Sequence, residues 1–189
     1  MVACKQNNRA IADLCFQHMA TAYAAAPFDT NGFDRQGNSA LVLAAKANNE
    51  YAVSVLLRCH ADPNKVTDNI HESPLSQAVA LGFINVAKVL LESGADVNWK
   101  DNDHMTPLHK AVLAEKYPLV KLLLENGANI NAVNKQQRTA LHLAVQQTKT
   151  MTNASLRIER VLLDAGADIN ATDILGKCIM WIKEYEKSK

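Results

Sequence analysis

The stretch TPLHKAVLAEKYPLVKLLLENGANIN, residues 106–131, decides the fold. Thr106 is a good helix N-cap, and Pro107 suits the first helical position, where no N–H is needed. Leu108, Ala111 and Val112 then line one face of a short helix. A second helix is predicted to begin near Pro118. Its Val120, Leu122, Leu123 and Leu124 give it a nearly continuous apolar surface, as expected of a helix packed on both sides. Gly127 ends it by supplying a left-handed C-cap. From Asn131 to Arg138 the chain is polar and extended, and it leads to another cap at Thr139.

The same unit recurs. Leu108 has counterparts in Leu41, Leu75 and Leu141, at steps of 34, 33 and 33 residues. The marker Gly127-Ala128-Asn129-Ile130-Asn131 recurs as His60-Ala61-Asp62-Pro63-Asn64, Gly94-Ala95-Asp96-Val97-Asn98 and Gly166-Ala167-Asp168-Ile169-Asn170. From leucine to marker the distance is 21 residues in three repeats and 27 in the fourth, so six residues are inserted there, around Thr148–Ala154. The insertion is expected to enlarge the turn between two helices. One unit cannot bury its apolar faces alone; stacked units bury a continuous core.

Composition agrees. Apolar residues make up 48% of the 189 and aromatics only 5%, a mix that favours close-packed helices over a β-sandwich. The net charge of +1, from 20 basic and 19 acidic side chains, shows no basic excess for nucleic acid. The longest apolar runs, such as Leu122–Leu124, are far too short to cross a bilayer, and the start MVACKQNNRA has no apolar leader. With no leader, Asn153-Ala154-Ser155 and Asn170-Ala171-Thr172 are read as ordinary sequence rather than glycosylation sites. Cys4, Cys15, Cys59 and Cys178 lack zinc-ligand spacing and read as small hydrophobes of a reducing compartment. A cytoplasmic location is expected, with the nucleus compatible.

The motif T-P-L-H-x-A, the G-A-D-V-N marker and the period of 33 together resemble the ankyrin repeat family. Residues 106–111 and 139–144 carry the motif almost completely. The resemblance implies an all-α solenoid of helix-turn-helix units joined by β-hairpin-like loops. Four repeats fall at 34–67, 68–100, 101–133 and 134–172. A divergent N-terminal repeat or cap covers 1–33, where Val2–Phe16 align with Leu43–Leu57. A partial repeat or cap covers 173–189, with Trp181 standing where the motif has its histidine.

Four histidines at the starts of repeats invite a chemical reading. His109 and His142 stand three residues after the caps, where an imidazole can meet the cap hydroxyl and close the first turn, a relative of the capping box. The resemblance implies the same structural role; Val42 and Ser76 fill that position elsewhere. His104, like His71 one repeat earlier, falls at a hairpin tip where Gly37 and Gly176 stand in other repeats. A shared zinc between them would need further ligands, and no metal or cofactor is expected. No G-x-S-x-G, phosphate loop or H-E-x-x-H is present.

The resemblance therefore implies a non-catalytic module that binds a protein or peptide partner, as a monomer, through hairpin tips and the exposed side of the first helices. Carried onto this sequence, the contact residues are Glu72, Asp103, His104, Arg138 and Gln146 around an apolar centre of Ile70, Leu81, Trp99, Met105 and Leu113. That is an apolar core with a polar rim. Trp99, whose counterparts are Lys65, Ala132 and Ala171, either anchors a partner or covers a neighbouring hairpin. An alternative makes the chain the targeting part of a larger enzyme or effector. The resemblance also implies that Asn98, Asn131 and Asn170, each eight residues after a leucine, can be hydroxylated; otherwise they satisfy hairpin backbone.

Overall fold

The computed structural model describes residues 29–68, 71–147 and 153–178. Most of the N-terminal repeat, Ile70, five residues of the insertion region and the terminal segment with Trp181 lie outside them.

The fold is all-α. The eight helices among the described residues are α1 Ala40–Lys46, α2 Glu50–Arg58, α3 Pro74–Leu81, α4 Ile84–Glu92, α5 Pro107–Leu113, α6 Tyr117–Glu125, α7 Ala140–Gln147 and α8 Asn153–Asp164. They fall into two compact units, Met1–Asp96 with α1–α4 and Val97–Lys189 with α5–α8. Within each unit the first helices pack on each other, α1 on α3 and α5 on α7, and so do the second helices, α2 on α4 and α6 on α8.

Each first helix begins where the sequence puts a hydroxyl. Ser39 Oγ accepts from the Val42 amide at 3.2 Å, and Ser73 Oγ from the Ser76 amide at 3.1 Å. Such caps satisfy an amide that has no partner inside the helix. Second helices hand over to a left-handed residue: Gly94, Gly127 and Gly166 at φ 87°, 82° and 86°, with His60 taking that conformation at 61°. The loops are closed by side-chain bonds rather than ladders. Among the described residues there is no strand, only single bridges at Phe33–Ser39 and Thr172–Cys178.

The core repeats with the sequence. Leu41, Leu75, Leu108 and Leu141 from the first helices are buried, as are Leu56, Leu90, Leu123 and Leu162 from the second. Ala44, Ala78, Ala111 and Ala144 sit between them, fully buried, and their small size lets neighbouring helices approach.

Five residues separate α7 from α8 where two or three separate the other helix pairs, so the turn is enlarged as expected, and the insertion also lengthens a helix. Asn153 and Ala154 are helical, and α8 has 12 residues where α2, α4 and α6 have nine. Half of the six extra residues therefore lengthen the helix at its N-terminus. Of the three added helical residues, Asn153, Ala154 and Ser155, the last is buried, while Ile158 fills the core position that Ala52, Val86 and Leu119 hold in the other repeats.

Candidate partner-binding surface

The hairpin tips are built by one recurring device. The side-chain oxygen of Asp34, Asp101, Asn134 or Asp173 accepts the amides two and four residues onward, at 2.8–3.0 Å. The turn around Thr67 is one residue longer, and Thr67 Oγ1 takes the Glu72 amide at 3.1 Å instead. The residue at the apex is left-handed in each: Gly37, His71, His104, Gln137 and Gly176. A side chain there costs roughly 1 kcal/mol of backbone strain. The tips are also tied together within each unit. Asp68 N donates to Gly37 O at 2.9 Å, Lys135 N to Asp103 O at 3.0 Å, and Ile174 N to Gln136 O at 3.0 Å.

A second set of rungs runs below the helix ends. The Oδ1 atoms of Asn31, Asn64, Asn98 and Asn131 accept the amides of Asp62, Asp96, Asn129 and Asp168, at 2.7–2.9 Å. Asn64 and Asn98 also donate through Nδ2 to Gly94 O and Gly127 O. The marker asparagines Asn64, Asn98 and Asn131 thus satisfy the following repeat's backbone, a role that cannot be read from their own repeats.

The histidines do more than the spacing predicts. At His109, Nδ1 accepts from Thr106 N at 3.2 Å and lies 2.8 Å from Thr106 Oγ1, which closes a capping box. The reverse bond, His109 N to Thr106 Oγ1, is 3.5 Å, so the ring does most of the capping. Because Nδ1 accepts, the proton is on Nε2, which donates to Arg138 O at 3.1 Å. One ring therefore caps α5 and holds the next hairpin. His142 repeats the cap, with Nδ1 at 3.2 Å from Thr139 N, but its buried Nε2 falls outside hydrogen-bond geometry, with the Lys177 carbonyl near enough to act on the ring only electrostatically. Burial lowers the pKa of both histidines; carbonyls and the neighbouring Asp101 and Asp173 only partly offset it.

Two ion pairs stiffen the second unit's tips, and both escape a reading of one residue at a time. Lys110 Nζ sits 2.9 Å from Asp101 Oδ2, with both side chains 11% exposed. Burial works against the Asp101 charge, but Lys110 and the amides of Met105 and Asp103 outweigh it and hold the carboxyl below its ordinary value. Arg138 Nε lies 3.8 Å from the buried Asp173 carboxylate. That carboxyl too is held low, since the Lys177 and Leu175 amides and Arg138 overcome burial. Asp101→Asn tests the first pair in isolation, because Asn134 shows that an amide oxygen can organise the same turn. The expected loss is about 1–2 kcal/mol for leaving Lys110 half-buried without its counterion. Urea unfolding measures it, and a loss near zero would mean that the pair adds nothing.

The expected contact residues are placed as follows. In the first unit, Leu81 ends α3 at 47% exposure, and Glu72 is half-buried beside Thr67. In the second unit, Leu113 ends α5, also at 47%. Asp103 and His104 are exposed at their tip, and Lys135 Nζ approaches Asp103 at 3.7 Å. Met105 is half-buried, with its sulfur 3.5 Å from Asn134 Nδ2. Arg138 reaches Gln146, Nη1 to Oε1 at 3.4 Å, so these two form one polar group on α7 and its lead-in. Trp99 is half-buried and engaged within the chain. Ile70 lies outside the described residues. The sequence reading missed Ile174 and Leu175 at the last tip, the most exposed large apolar residues described, at 66% each. The signal was available: the equivalent pairs are Arg35-Gln36, Asn102-Asp103 and Lys135-Gln136.

Among the described residues no three His, Cys, Asp or Glu side chains are grouped as a metal site requires, and no helix is long and apolar enough to cross a membrane.

Comparison with known proteins agrees with this geometry. The family model described as ankyrin repeats (3 copies) matches residues 1–101 and 75–173. A 60-residue stretch is 42% identical to the neurogenic locus notch homolog protein 1 of Danio rerio, a match covering 32% of this chain and 2% of that protein. Repeats of this family are in general protein–protein interaction modules. With its caps, markers and helix pairs in register, the chain belongs to the ankyrin repeat family.

Proposed function

We propose that this chain is a non-catalytic recognition module, of scaffold or adaptor type, that holds a protein or peptide partner on its hairpin tips and the exposed side of its first helices. The observation that carries the reading is the pair Leu81 and Leu113. Each ends a first helix nearly half exposed. Their counterparts are Ala47, Ala114 and Gln147 for Leu81, and Lys46, Ala80 and Gln146 for Leu113, so the fold requires a leucine at neither place. Strain at the tips points the same way. His71, His104 and Gln137 hold a conformation that Gly37 and Gly176 adopt without cost, and stored strain at exposed positions is a mark of use. The tips and caps are pre-ordered by their own hydrogen bonds, which lowers the entropy lost on binding. Affinity capture with mass spectrometry, run side by side on the parent and on surface variants, tests the reading: authentic partners are lost with Leu81 or Leu113. The module is inferred to act as a monomer in the cytoplasm or nucleus.

A second reading makes the chain the recognition part of a larger enzyme or effector. The observation in its favour is that the matched relative holds this stretch within a protein of which it is 2%.

Asparagine hydroxylation belongs with the first reading as a modification of the same module. All three are exposed; among the described residues Asn98 has two side-chain bonds to break, Asn131 one and Asn170 none. The expected order on exposure to an asparaginyl hydroxylase is Asn170 first, then Asn131, then Asn98. Peptide mass spectrometry, following the one-oxygen mass gain over time, checks it; Asn98 reacting first would overturn the order.

A further inference from the structure

We propose that the two histidine caps make the second unit an acid-sensitive element, in which protonation of His109 and His142 at Nδ1 opens the first turns of α5 and α7. Each Nδ1 accepts a buried backbone amide, Thr106 N or Thr139 N, both at 3.2 Å. A proton on that nitrogen turns the acceptor into a donor. The amide is then left without a partner in a site where Thr106, Thr139 and both rings are at most 1% exposed. Such an orphaned donor is costly.

The surroundings do not welcome the new charge. Lys100 and Asp101 face His109 with opposite effects, and Asp101 is already committed to Lys110. Asp173 and Arg138 face His142, again opposed, and they are already paired with each other. His142 is the weaker lock, because its Nε2 is outside hydrogen-bond geometry with the Lys177 carbonyl, where His109 has Arg138 O at 3.1 Å. Opening α5 disturbs Leu113 at its end, which the proposed function counts as a contact residue; the acid response itself rests only on the caps.

The sign follows from proton linkage. Both histidines are held below the ordinary value of 6.5 in the fold, so below that pH the unfolded chain binds protons that the folded chain does not. Their contribution to stability is complete above about pH 6.5 and is lost as pH falls toward their folded values. With two such sites, each pH unit inside that window changes the unfolding constant by up to about a hundredfold. Asp101 and Asp173 titrate below 3.8, outside a range of about pH 7.5 to 5.

The test is urea unfolding of the whole chain across that range, beside the double variant His109→Gln, His142→Gln. Glutamine keeps a capping-box acceptor but does not titrate. The parent's midpoint is expected to fall with acid, and the double variant's by less than half as much. An equal fall in both overturns the proposal. If the double variant does not fold, the ring C–H resonances of His109 and His142 in the parent decide. They are expected to hold their neutral positions until the fold opens. Ordinary titration near pH 6.5 with the fold intact would refute the lock.

Discussion

Replacing His109 with alanine is expected to lower the unfolding free energy by about 3 kcal/mol. Three contributions add. The Thr106 amide loses its acceptor at 3.2 Å, and the Arg138 carbonyl loses its donor at 3.1 Å. Each buried group left unpaired costs about 1–3 kcal/mol. The ring is 1% exposed, so its removal also leaves a cavity. The matching change His142→Ala loses the cap and only a weak approach to the Lys177 carbonyl, since Nε2 there falls outside hydrogen-bond geometry. Its expected cost is smaller, about 1–2 kcal/mol. Urea denaturation followed by circular dichroism reads both. Equal costs would mean that the bond to Arg138 contributes nothing, and that the imidazole is only a cap.

Leu81→Asp and Leu113→Asp should each weaken partner binding by about thirtyfold or more, the effect of losing an anchor worth about 2 kcal/mol. Both side chains are already 47% exposed, so a carboxylate can stay in water, and stability should hold to within about 0.5 kcal/mol. Controls on the second helices, Lys88→Glu in α4 and Lys121→Glu in α6, are exposed and should bind as the parent does. Unchanged capture by both leucine variants, with melting intact, would move the interface off the first helices. Ile174 and Leu175 are the next place to look.

Much of the fold is legible because its causes are local. A hydroxyl three residues ahead of a helix amide, a glycine after a helix, and leucines at a 33-residue period each act within one unit. The starts at Ser39, Ser73 and Thr106 therefore stand where the sequence puts them. What joins repeats is less legible, because the partners are about thirty residues apart and meet only after folding. The Asn98 side chain reaching Asn129 N is of this kind, and so is His109 reaching Arg138 O. The insertion's place is legible, but not that half of its residues extend α8, where Ser155 finds a buried position. The candidate site is legible only as a set of positions. Sequence spacing marks which residues fall on tips and helix ends, but not that Trp99 is already engaged within the chain or that the Asp101 carboxylate is held by Lys110.

Hydrogen exchange of the chain, alone and with the partner recovered by capture, tests the central claim most directly. Amides of residues 71–81, 99–114 and 135–147 should gain protection on binding, while α2, α4, α6 and α8 remain as they were. Protection confined to those second helices, with the tips and first helices unchanged, would contradict the account.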